Sequence, residues 1–406
     1  MISFNHVTEP LLPYDANQLA EALIELDESR RILDLQGPLP RAWAGRLRRD
    51  LEAEAVAAST RMEGVNVTLE EVRRILAGES PPEVDPADRD LVAGYRDAMS
   101  FVLRQADDPA FDWDRGLVVG LHDRAMAGRY SLGAGRVRTE APVYIVNRLT
   151  GKQVFLPPPG EEVDRLLDLA TARMTEGHSH PALAAAWIHV AIAAIHPFKD
   201  GNGRAARILA SLAMYRGGFK RPEFTSLEEW WGGHLDMYYS LFECLGSEFT
   251  QGADVTPFIA GHVSAQLHQV RALDMRIRIE RQIWTGVEEA AEDAHLDRRL
   301  ANALWDAFFG REVTAGYYRS LADVSPATAT SDLAAAVSSG LLVAEGERRG
   351  RKYMPGERLY SSIAQGLSMP GAGTGAGARD VIVSELARRL SEAATIRALN
   401  HTPIGD

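Results

Sequence analysis

The chain has 406 residues, of which 46% are hydrophobic and 25% are charged, and its formal net charge is −12. This composition is typical of a globular protein with two or three domains. The acidic balance argues against a chain built wholly around nucleic acid, although one domain could still be locally basic. No apolar run reaches about 18 residues, so we expect neither a membrane-spanning helix nor a membrane partner.

The one cysteine of the chain, Cys244, excludes internal disulfides and zinc-finger spacing. A reducing, cytoplasmic location is therefore predicted. The first residues, Met1 to His6, lack a basic region followed by an apolar core, so we expect no signal peptide.

Residues 1–90 are predicted to form an N-terminal helical region interrupted by proline-containing turns. Within it, the alanine-rich run Ala53 to Ala58 favours a helix, and Gly64 is a suitable residue to end that helix. Ser59 and Glu63 are four positions apart, so they are expected to share one helix face.

Residues 91–265 are predicted to form a second region that contains a β-hairpin. The runs Val143–Val146 and Gln153–Leu156 are rich in strand-forming residues, and the segment 147–151 between them ends in a glycine. Pro157 to Pro159 end the second run, and a glycine-bearing stretch, Gly133 to Arg138, precedes the first.

A long apolar run, Ala182 to Ile195, contains neither proline nor glycine and therefore predicts a buried helix. A tight loop with proline and glycine follows, and helix-forming residues resume at Arg204. Unpaired N–H groups and the helix dipole make such a helix start an anion site. Arg204 and Arg207 share a face and can add donors to phosphate oxygens, so the local chemistry points to phosphates.

Two further segments are predicted after residue 265, namely residues 266–360 and residues 361–406. The first segment is expected to contain a long helix, Arg281–Phe309, then a turn at Asp323 to Pro326, and a helix from Ala327 to Ser338 capped by Ser325. The second is expected to contain a flexible linker, Pro370–Gly377, and an amphipathic helix over 379–399.

The sequence from His196 to Arg207 resembles the signature of Fic-domain proteins, His-x-Phe-x-(Asp/Glu)-Gly-Asn-Gly-Arg-x-x-Arg, and matches it at every fixed position. The resemblance implies transfer of a nucleotide monophosphate, usually AMP from ATP, to a protein hydroxyl. It also implies a mainly α fold, a Fic-type helical bundle with a β-hairpin flap that holds the target protein as an added strand along Val143 to Phe155.

The same resemblance implies a role for each residue of the motif. His196 would be the general base, Asp200 would hold Mg²⁺, and Phe198 would anchor the loop. The nucleotide would be bound by the anion nest and the two arginines, namely Gly201, Asn202, Gly203, Arg204 and Arg207. These roles agree with elementary chemistry, since histidine titrates near neutrality and Mg²⁺ prefers carboxylate and phosphate oxygens.

Two further resemblances extend beyond the loop. Ser59 to Gly64 matches the inhibitory motif of Fic proteins, (Ser/Thr)-x-x-x-Glu-(Gly/Asn), which implies that Glu63 pairs with Arg207 and holds the nucleotide in an unproductive pose. Tyr238 and Tyr239 resemble paired tyrosines that border the nucleotide base, although aromatic pairs on helices are more often core. His189, on the apolar helix, is predicted to be a core residue.

The segment around residues 311–355 resembles a winged helix-turn-helix module of the kind appended to Fic domains. Thr328 to Asp332 would then form the recognition face, and Arg348 to Lys352 the wing. The segment holds six Lys/Arg against five Asp/Glu, whereas DNA readers usually carry a basic stripe. The sequence therefore favours protein docking or a homodimer over DNA contact, but it leaves all three open.

The function predicted from the sequence is a protein adenylyltransferase that uses ATP and Mg²⁺ and is restrained by Glu63. Two alternatives remain open: removal of AMP at the same site, and a DNA-binding regulator acting through the C-terminal module. A kinase of the related Doc type is disfavoured, because that branch has Lys at the position of Gly203.

Overall fold

The computed structural model describes residues 10–35, 41–139, 144–146, 152–220, 227–347, 350–369 and 377–395. The fold is mainly helical, as predicted, with two small antiparallel sheets. It divides into two compact units, Met1–Val270 and Arg271–Asp406. The first unit contains both the N-terminal region and the loop from His196 to Arg207. None of the helices in the described residues is long and apolar enough to cross a membrane.

Among the described residues, ten helices lie entirely in the first unit, and an eleventh contains the boundary between the units. They are α1 Ala20–Leu35, α2 Arg41–Met62, α3 Leu69–Leu76, α4 Pro86–Ala106, α5 Arg115–Ala125, α6 Gly160–Glu176, α7 Pro181–Ile195, α8 Asn202–Arg216, α9 Leu227–Gly233, α10 Leu235–Ser240 and α11 Thr256–Asp293. Short 3-10 helices span Ala16–Leu19, Tyr130–Leu132 and Leu241–Leu245.

The core of this unit is built around α7, which packs against α8. Most of α7 is buried, as its apolar run predicts, because almost every position carries Ala, Leu, Ile, Val or Trp. Trp187 is fully buried, and its indole N–H donates to the carbonyl of Leu12 at 3.0 Å. The helix that leads into the loop is thus surrounded by the core over most of its surface.

The predicted hairpin is present as two paired strands, β1 Ile145–Val146 and β2 Gln153–Phe155. The strands are antiparallel, with Ile145 opposite Phe155. The last residue of the second predicted run, Leu156, leaves the ladder and bridges Glu248 instead. Val143 and the connecting residues 147–151 lie outside the described residues.

The second unit contains a three-stranded antiparallel sheet and five helices in addition to the end of α11, among the residues that the structure describes. The sheet consists of β3 Val313–Thr314, β4 Leu342–Glu345 and β5 Lys352–Pro355 in the order β3-β5-β4. The helices are α12 Ala301–Phe308, α13 Ala315–Ala322, α14 Pro326–Ser338, α15 Glu357–Gly366 and α16 Ala378–Thr395.

One predicted helix of this unit, Arg281–Phe309, is wrong as a continuous element. The chain leaves α11 after Asp293, adopts a left-handed conformation at His295 (φ 55°), and restarts with the 3-10 helix Arg298–Leu300. The side chain of Asp297 accepts from the N–H of Arg299 and so caps the start of the 3-10 helix. This local hydrogen bond competes with continuation of α11.

The helix after the predicted turn agrees with the sequence. The side chain of Ser325 accepts from the N–H of Thr328 and caps α14. Asp332 is not available as part of an exposed recognition face, because its carboxylate accepts from Arg299 and from the hydroxyl of Tyr318. Arg348 and Arg349 of the predicted wing, the linker residues 370–376, and residues 396–406 lie outside the described residues.

Candidate active site

The loop between α7 and α8 begins at His196, whose backbone has a left-handed conformation, with φ of 50°. A residue other than glycine rarely adopts this conformation, and such outliers concentrate at functional sites. The N–H of His196 still bonds the carbonyl of Ile192 at 2.9 Å, so the side chain projects from a fixed helix end.

Arg138 stabilises this helix end from the outside. Its Nε donates to the carbonyl of His196 at 2.7 Å, and its Nη2 donates to the carbonyls of Pro158 at 2.6 Å and Ile195 at 3.1 Å. The side chain is only 8% exposed, and it supplies a cation and donors to carbonyls that a helix end leaves unpaired. The sequence places Arg138 just before the hairpin, but it gave no indication of this role.

Asn202 closes the loop on itself. Its side-chain oxygen accepts from the N–H of Phe198 at 2.9 Å, and its side-chain nitrogen donates to the carbonyl of the same residue at 2.8 Å. Phe198 is fully buried beneath the loop. The amide of Asn202 is therefore used to shape the loop, which leaves its backbone N–H as the group that can face a ligand.

The middle of the loop is supported by His122 of α5. A ring nitrogen of His122 lies 2.8 Å from the carbonyl oxygen of Asp200, and the imidazole stacks on the ring of Phe198 with centroids 3.6 Å apart. Desolvation lowers the pKa of His122 to about 4, so the ring is neutral at neutral pH. Gly201 follows with φ of 75°, a conformation that favours glycine.

Helix α8 begins at Asn202, two residues before the predicted start, because Gly201 acts as its N-cap. The N–H groups of its first turn have no partner within the helix and lie at the positive end of the helix dipole. Arg204 is only 2% exposed, and in the described part of the chain its Nε and Nη1 have no hydrogen-bond partner. Buried donors of a charged group are costly when they lack acceptors, so this point of the molecule is suited to an anion.

Arg207, one turn later and 3% exposed, is fully engaged. Its Nη2 lies 2.7 Å from Oε1 of Glu63 and 3.2 Å from the carbonyl oxygen of Ser59, and its Nε donates to Oγ of Ser59 at 3.0 Å. Burial alone would lower the pKa of Arg207, but the Glu63 carboxylate outweighs it and the net shift is upward. The two residues predicted to share a helix face thus meet the arginine together.

The end of α2 determines where Glu63 lies. The N–H of Gly64 bonds the carbonyl of Arg61 at 2.9 Å, and the N–H of Val65 bonds that of Thr60 at 3.1 Å. These two bonds form a Schellman turn, in which Gly64 adopts φ of 84°. Glu63 is therefore the last residue before a rigid turn, and its side chain leaves the helix beside Arg207.

Gly203 makes room for this contact. A Cβ placed on Gly203 would collide with Oε1 of Glu63 and would lie 3.1 Å from Nη1 of Arg207. Any larger residue at this position would therefore displace the Glu63 carboxylate. The glycine serves the ion pair as well as the close approach of the helix start to a ligand.

The site offers one base and one carboxylate to a reaction. Desolvation lowers the pKa of His196 to about 4, so its imidazole is neutral at neutral pH and can accept a proton. Oδ1 of Asp200 accepts from the N–H of Gly201 at 2.7 Å. Within the described residues no group of three or more acidic, His or Cys side chains could hold a metal. A single carboxylate beside a phosphate site instead fits Mg²⁺ that takes its other ligands from phosphates and water.

The two candidate base-pocket tyrosines lie in different environments. Tyr238 is buried, its hydroxyl lies 3.0 Å from Nε2 of His189, and desolvation raises its pKa to about 12. Tyr239 is 55% exposed. His189 is buried in the core, as the apolar pattern around it predicted.

Sequence reasoning also missed the polar residues behind Arg207. The hydroxyl of Tyr95 on α4 donates to Oε1 of Glu228 on α9 at 2.8 Å, and both side chains are buried. Glu228 and Arg207 border a cavity of about 20 Å³, which has room for a water molecule. Tyr95 and Glu228 lie in unrelated parts of the sequence, so no local pattern could have connected them to the loop.

Comparison with known proteins shows which family the region around this site resembles. The model of the Fic/DOC family matches residues 112–214, a range that contains the whole loop, all of α7 and most of α8. This part of the chain is therefore similar to the Fic/DOC family. Residues 112–214 include His122 and Arg138 but not Ser59 or Glu63, so the ion pair of Arg207 is made by a part of the chain outside the matched region.

Two curated relatives are similar to part of this chain. The protein adenylyltransferase fic-1 of Caenorhabditis elegans is 31% identical over 166 residues, which cover 39% of this chain and 30% of the relative. The protein adenylyltransferase Fic of Nematostella vectensis is 26% identical over 169 residues, covering 40% of this chain and 37% of the relative. The chain thus matches about a third of the length of these relatives.

Solved structures show the same fold. A Fic family protein from Desulfovibrio desulfuricans G20 aligns with a TM-score of 0.55 and 20% identity, covering 86% of this chain and 98% of its own. A Fic domain containing signaling protein from Bacteroides thetaiotaomicron VPI-5482 aligns with a TM-score of 0.52 and 21% identity, covering 61% of this chain and 94% of its own. At these identities the likeness concerns the fold.

Proposed function

We propose that this protein is an adenylyltransferase that moves AMP from ATP to a Ser, Thr or Tyr hydroxyl of a target protein. The observation that carries the proposal is the loop between α7 and α8. It brings a neutral histidine, a carboxylate and a buried arginine to the start of one helix, and two nitrogens of that arginine have no hydrogen-bond partner in the described residues. The names of the two curated relatives support the same reaction.

In the proposed reaction the hydroxyl oxygen of the target attacks the α-phosphorus of ATP. A new P–O bond forms, the bond from the α-phosphorus to the α–β bridging oxygen breaks, and pyrophosphate leaves with the bonding electrons. The proton of the hydroxyl passes to His196. The chain contributes mainly positioning and charge, as in other phosphoryl and nucleotidyl transfers.

The phosphates would be bound at the start of α8. The N–H groups of Asn202 and Gly203 and the guanidinium of Arg204 supply donors there, and Arg207 would reach the γ-phosphate once its present partners release it. Asp200 would hold Mg²⁺, which when bound neutralises charge on the phosphate oxygens. Tyr238 and Tyr239 remain the proposed neighbours of the nucleotide base.

The contact between Glu63 and Arg207 supports the proposal that the enzyme restrains itself. A carboxylate 2.7 Å from Nη2 of Arg207 competes with any γ-phosphate for that guanidinium. ATP would then bind without its arginine contact, and its α-phosphate would lie out of line with the incoming hydroxyl. Ser59 strengthens the competition because it occupies Nε of the same guanidinium.

The two-stranded sheet is the proposed docking site for the target. Tyr144 and Val154 are half-exposed, and a two-stranded sheet has free edges at which an extended segment can add as a strand. The C-terminal unit is proposed to be a winged helix that docks a protein or a second copy of the chain. Helix α14, the proposed recognition helix, contains no Lys or Arg, which disfavours phosphate contacts with DNA.

Labelled nucleotides test the reaction, and we expect the Glu63→Gly variant to incorporate label from ATP labelled at the α-phosphate but not from ATP labelled at the γ-phosphate. Transfer from the γ-label would indicate a kinase, and release of AMP from a modified target would indicate the reverse reaction. In the same background His196→Ala should reduce transfer at least about a hundredfold while ATP binding persists. Retained transfer in that variant would exclude His196 as the base.

A further inference from the structure

The peptide between Asp200 and Gly201 is held at both of its polar ends. Its carbonyl oxygen lies 2.8 Å from Nε2 of His122, and its N–H donates at 2.7 Å to Oδ1 of the Asp200 side chain itself. The orientation of the Asp200 carboxylate is thus coupled to the orientation of its own peptide, which His122 contacts directly.

The hydrogen bond at Nδ1 of His122 determines which ring nitrogen carries the proton. The N–H of Gly135 donates to Nδ1 of His122 at 3.1 Å, so Nδ1 carries no proton. The neutral ring therefore has its proton on Nε2, and Nε2 donates to the Asp200 carbonyl. The side chain is fully buried, and both of its nitrogens form hydrogen bonds. Nε2 bonds the loop, and Nδ1 bonds the segment that leads to the hairpin.

The ring also fixes the loop by packing. It lies parallel to the ring of Phe198, with an interplanar angle of 1° and centroids 3.6 Å apart. A Cβ on Gly201 would come within 3.1 Å of Nε2, so the loop passes directly over the histidine. His122 thus contacts the loop at Phe198 and Asp200 and lies close to the backbone of Gly201.

We propose that His122 is a positioning residue that sets the Asp200 carboxylate, through the Asp200–Gly201 peptide, for the metal that accompanies the nucleotide. The inference rests on the proposed function, because Asp200 is the proposed Mg²⁺ ligand. His122 does not touch the substrate. It acts by holding the peptide whose N–H fixes the carboxylate, as residues beyond the ligands do in other metal sites.

Two substitutions separate the hydrogen bonds of His122 from its ring. His122→Phe keeps an aromatic ring over Phe198. It removes both the hydrogen-bond donor to the carbonyl of Asp200 and the acceptor for the N–H of Gly135. His122→Gln keeps one donor and one acceptor but removes the ring. If positioning depends on the hydrogen bonds, the glutamine variant should behave more like the parent protein than the phenylalanine variant does.

The readout is the Mg²⁺ dependence of ATP binding, measured with a fluorescent ATP analogue on the Glu63→Gly parent. We expect His122→Phe to need about tenfold more Mg²⁺ for half-maximal binding, and His122→Gln to stay within about threefold of the parent. In an Asp200→Asn background, His122→Phe should no longer change the Mg²⁺ requirement, because both changes act through one carboxylate. Thermal unfolding of each variant separates these effects from a general loss of stability.

The outcomes distinguish the inference from the function on which it rests. An unchanged Mg²⁺ requirement in a folded His122→Phe variant overturns the positioning role and leaves the transferase intact. If His122→Gln needs as much Mg²⁺ as His122→Phe does, the effect comes from the aromatic ring. That outcome also overturns the proposed positioning role of the hydrogen bonds. Absence of Mg²⁺-dependent ATP binding in the parent and in every variant overturns the proposed function together with the inference.

Discussion

Each unit of the molecule contains an arginine paired with a carboxylate from a distant part of the chain, and the two pairs are built differently. In the second unit, Arg299 holds Asp332 with a two-pronged contact, Nε to Oδ2 at 2.7 Å and Nη2 to Oδ1 at 3.0 Å. The hydroxyl of Tyr318 donates to the same carboxylate at 2.7 Å. Every oxygen of Asp332 is thus used to tie helices together.

In the first unit Arg207 divides its donors between Glu63 and Ser59. Arg204 lies one turn away with two nitrogens that have no partner among the described residues, and Gly203 leaves space directly against the Glu63 carboxylate. The Arg299 pair is therefore suited to a permanent structural role. The Arg207 pair is proposed to occupy a place where a phosphate oxygen can replace the carboxylate, and this contrast can be tested.

The largest effect is expected from Glu63→Gly, which removes the carboxylate proposed to compete with the γ-phosphate. Transfer of α-labelled AMP, including self-modification on surface hydroxyls, should rise at least about tenfold, since a charge-assisted contact of about 1.5–3 kcal/mol no longer keeps Arg207 from the γ-phosphate of bound ATP. The measurement is the initial rate at saturating ATP and Mg²⁺. Equal rates for the parent and the variant would show that the segment from Ser59 to Gly64 is an ordinary helix end without an inhibitory role.

Arg207→Ala provides the control for this prediction. It should not increase transfer, because it deletes the guanidinium that the nucleotide needs. The double variant should behave like Arg207→Ala alone, since both substitutions act through one pair. A double variant as active as Glu63→Gly would show that Glu63 restrains the enzyme by another route.

A smaller increase is expected when α2, the proposed inhibitory helix, is loosened without a change to the Glu63–Arg207 pair. A Cβ on Gly232 in α9 would lie 3.1 Å from Cβ of Ala58 in α2, whereas a Cβ on the adjacent Gly233 would meet no heavy atom within 4 Å. Gly232→Leu should push α2 away and raise transfer about threefold, because overpacking of this kind typically costs about 1–3 kcal/mol. The initial rate of α-label transfer is the measurement.

Gly233→Leu is the matched control, since it adds the same side chain at the next position into open space. It should leave the rate of transfer unchanged. Similar increases in the two variants would attribute the effect to α9 as a whole rather than to its contact with α2. In the Glu63→Gly background, Gly232→Leu should add little, because the restraint has already been removed.

The smallest effect on transfer is expected at the structural pair. Asp332→Asn keeps the size of the side chain but removes the charge that Arg299 and Tyr318 share, so it should loosen the helices α13 and α14. Hydrogen exchange should accelerate in those helices while the rate of transfer stays within about twofold of the parent, as expected for a site with no shared partners. A loss of transfer equal to that of Arg207→Ala would contradict the distinction between the pairs.

The comparison also shows which features could be read from the sequence. Periodicity and punctuation predicted α7, the tight loop and the following helix, because each depends on residues close together in the chain. The spacing of Ser59, Glu63 and Gly64 predicted a helix end with two side chains on one face, and the Schellman turn at Gly64 places them so. The start of α8 moved two residues upstream because Gly201 in a left-handed conformation serves as its cap.

Only the tertiary structure decided which distant groups meet the loop. Arg138 reaches the carbonyl of His196, and His122 reaches that of Asp200, across 58 and 78 residues of sequence. Backbone carbonyls carry no residue-specific signal, so no pattern indicates which side chain will pair with them. The break between α11 and Arg299 has instead a local cause, because the cap at Asp297 competes with helix periodicity. Local chemistry was thus determined by the sequence, whereas the partners of buried polar groups depend on how the helices pack.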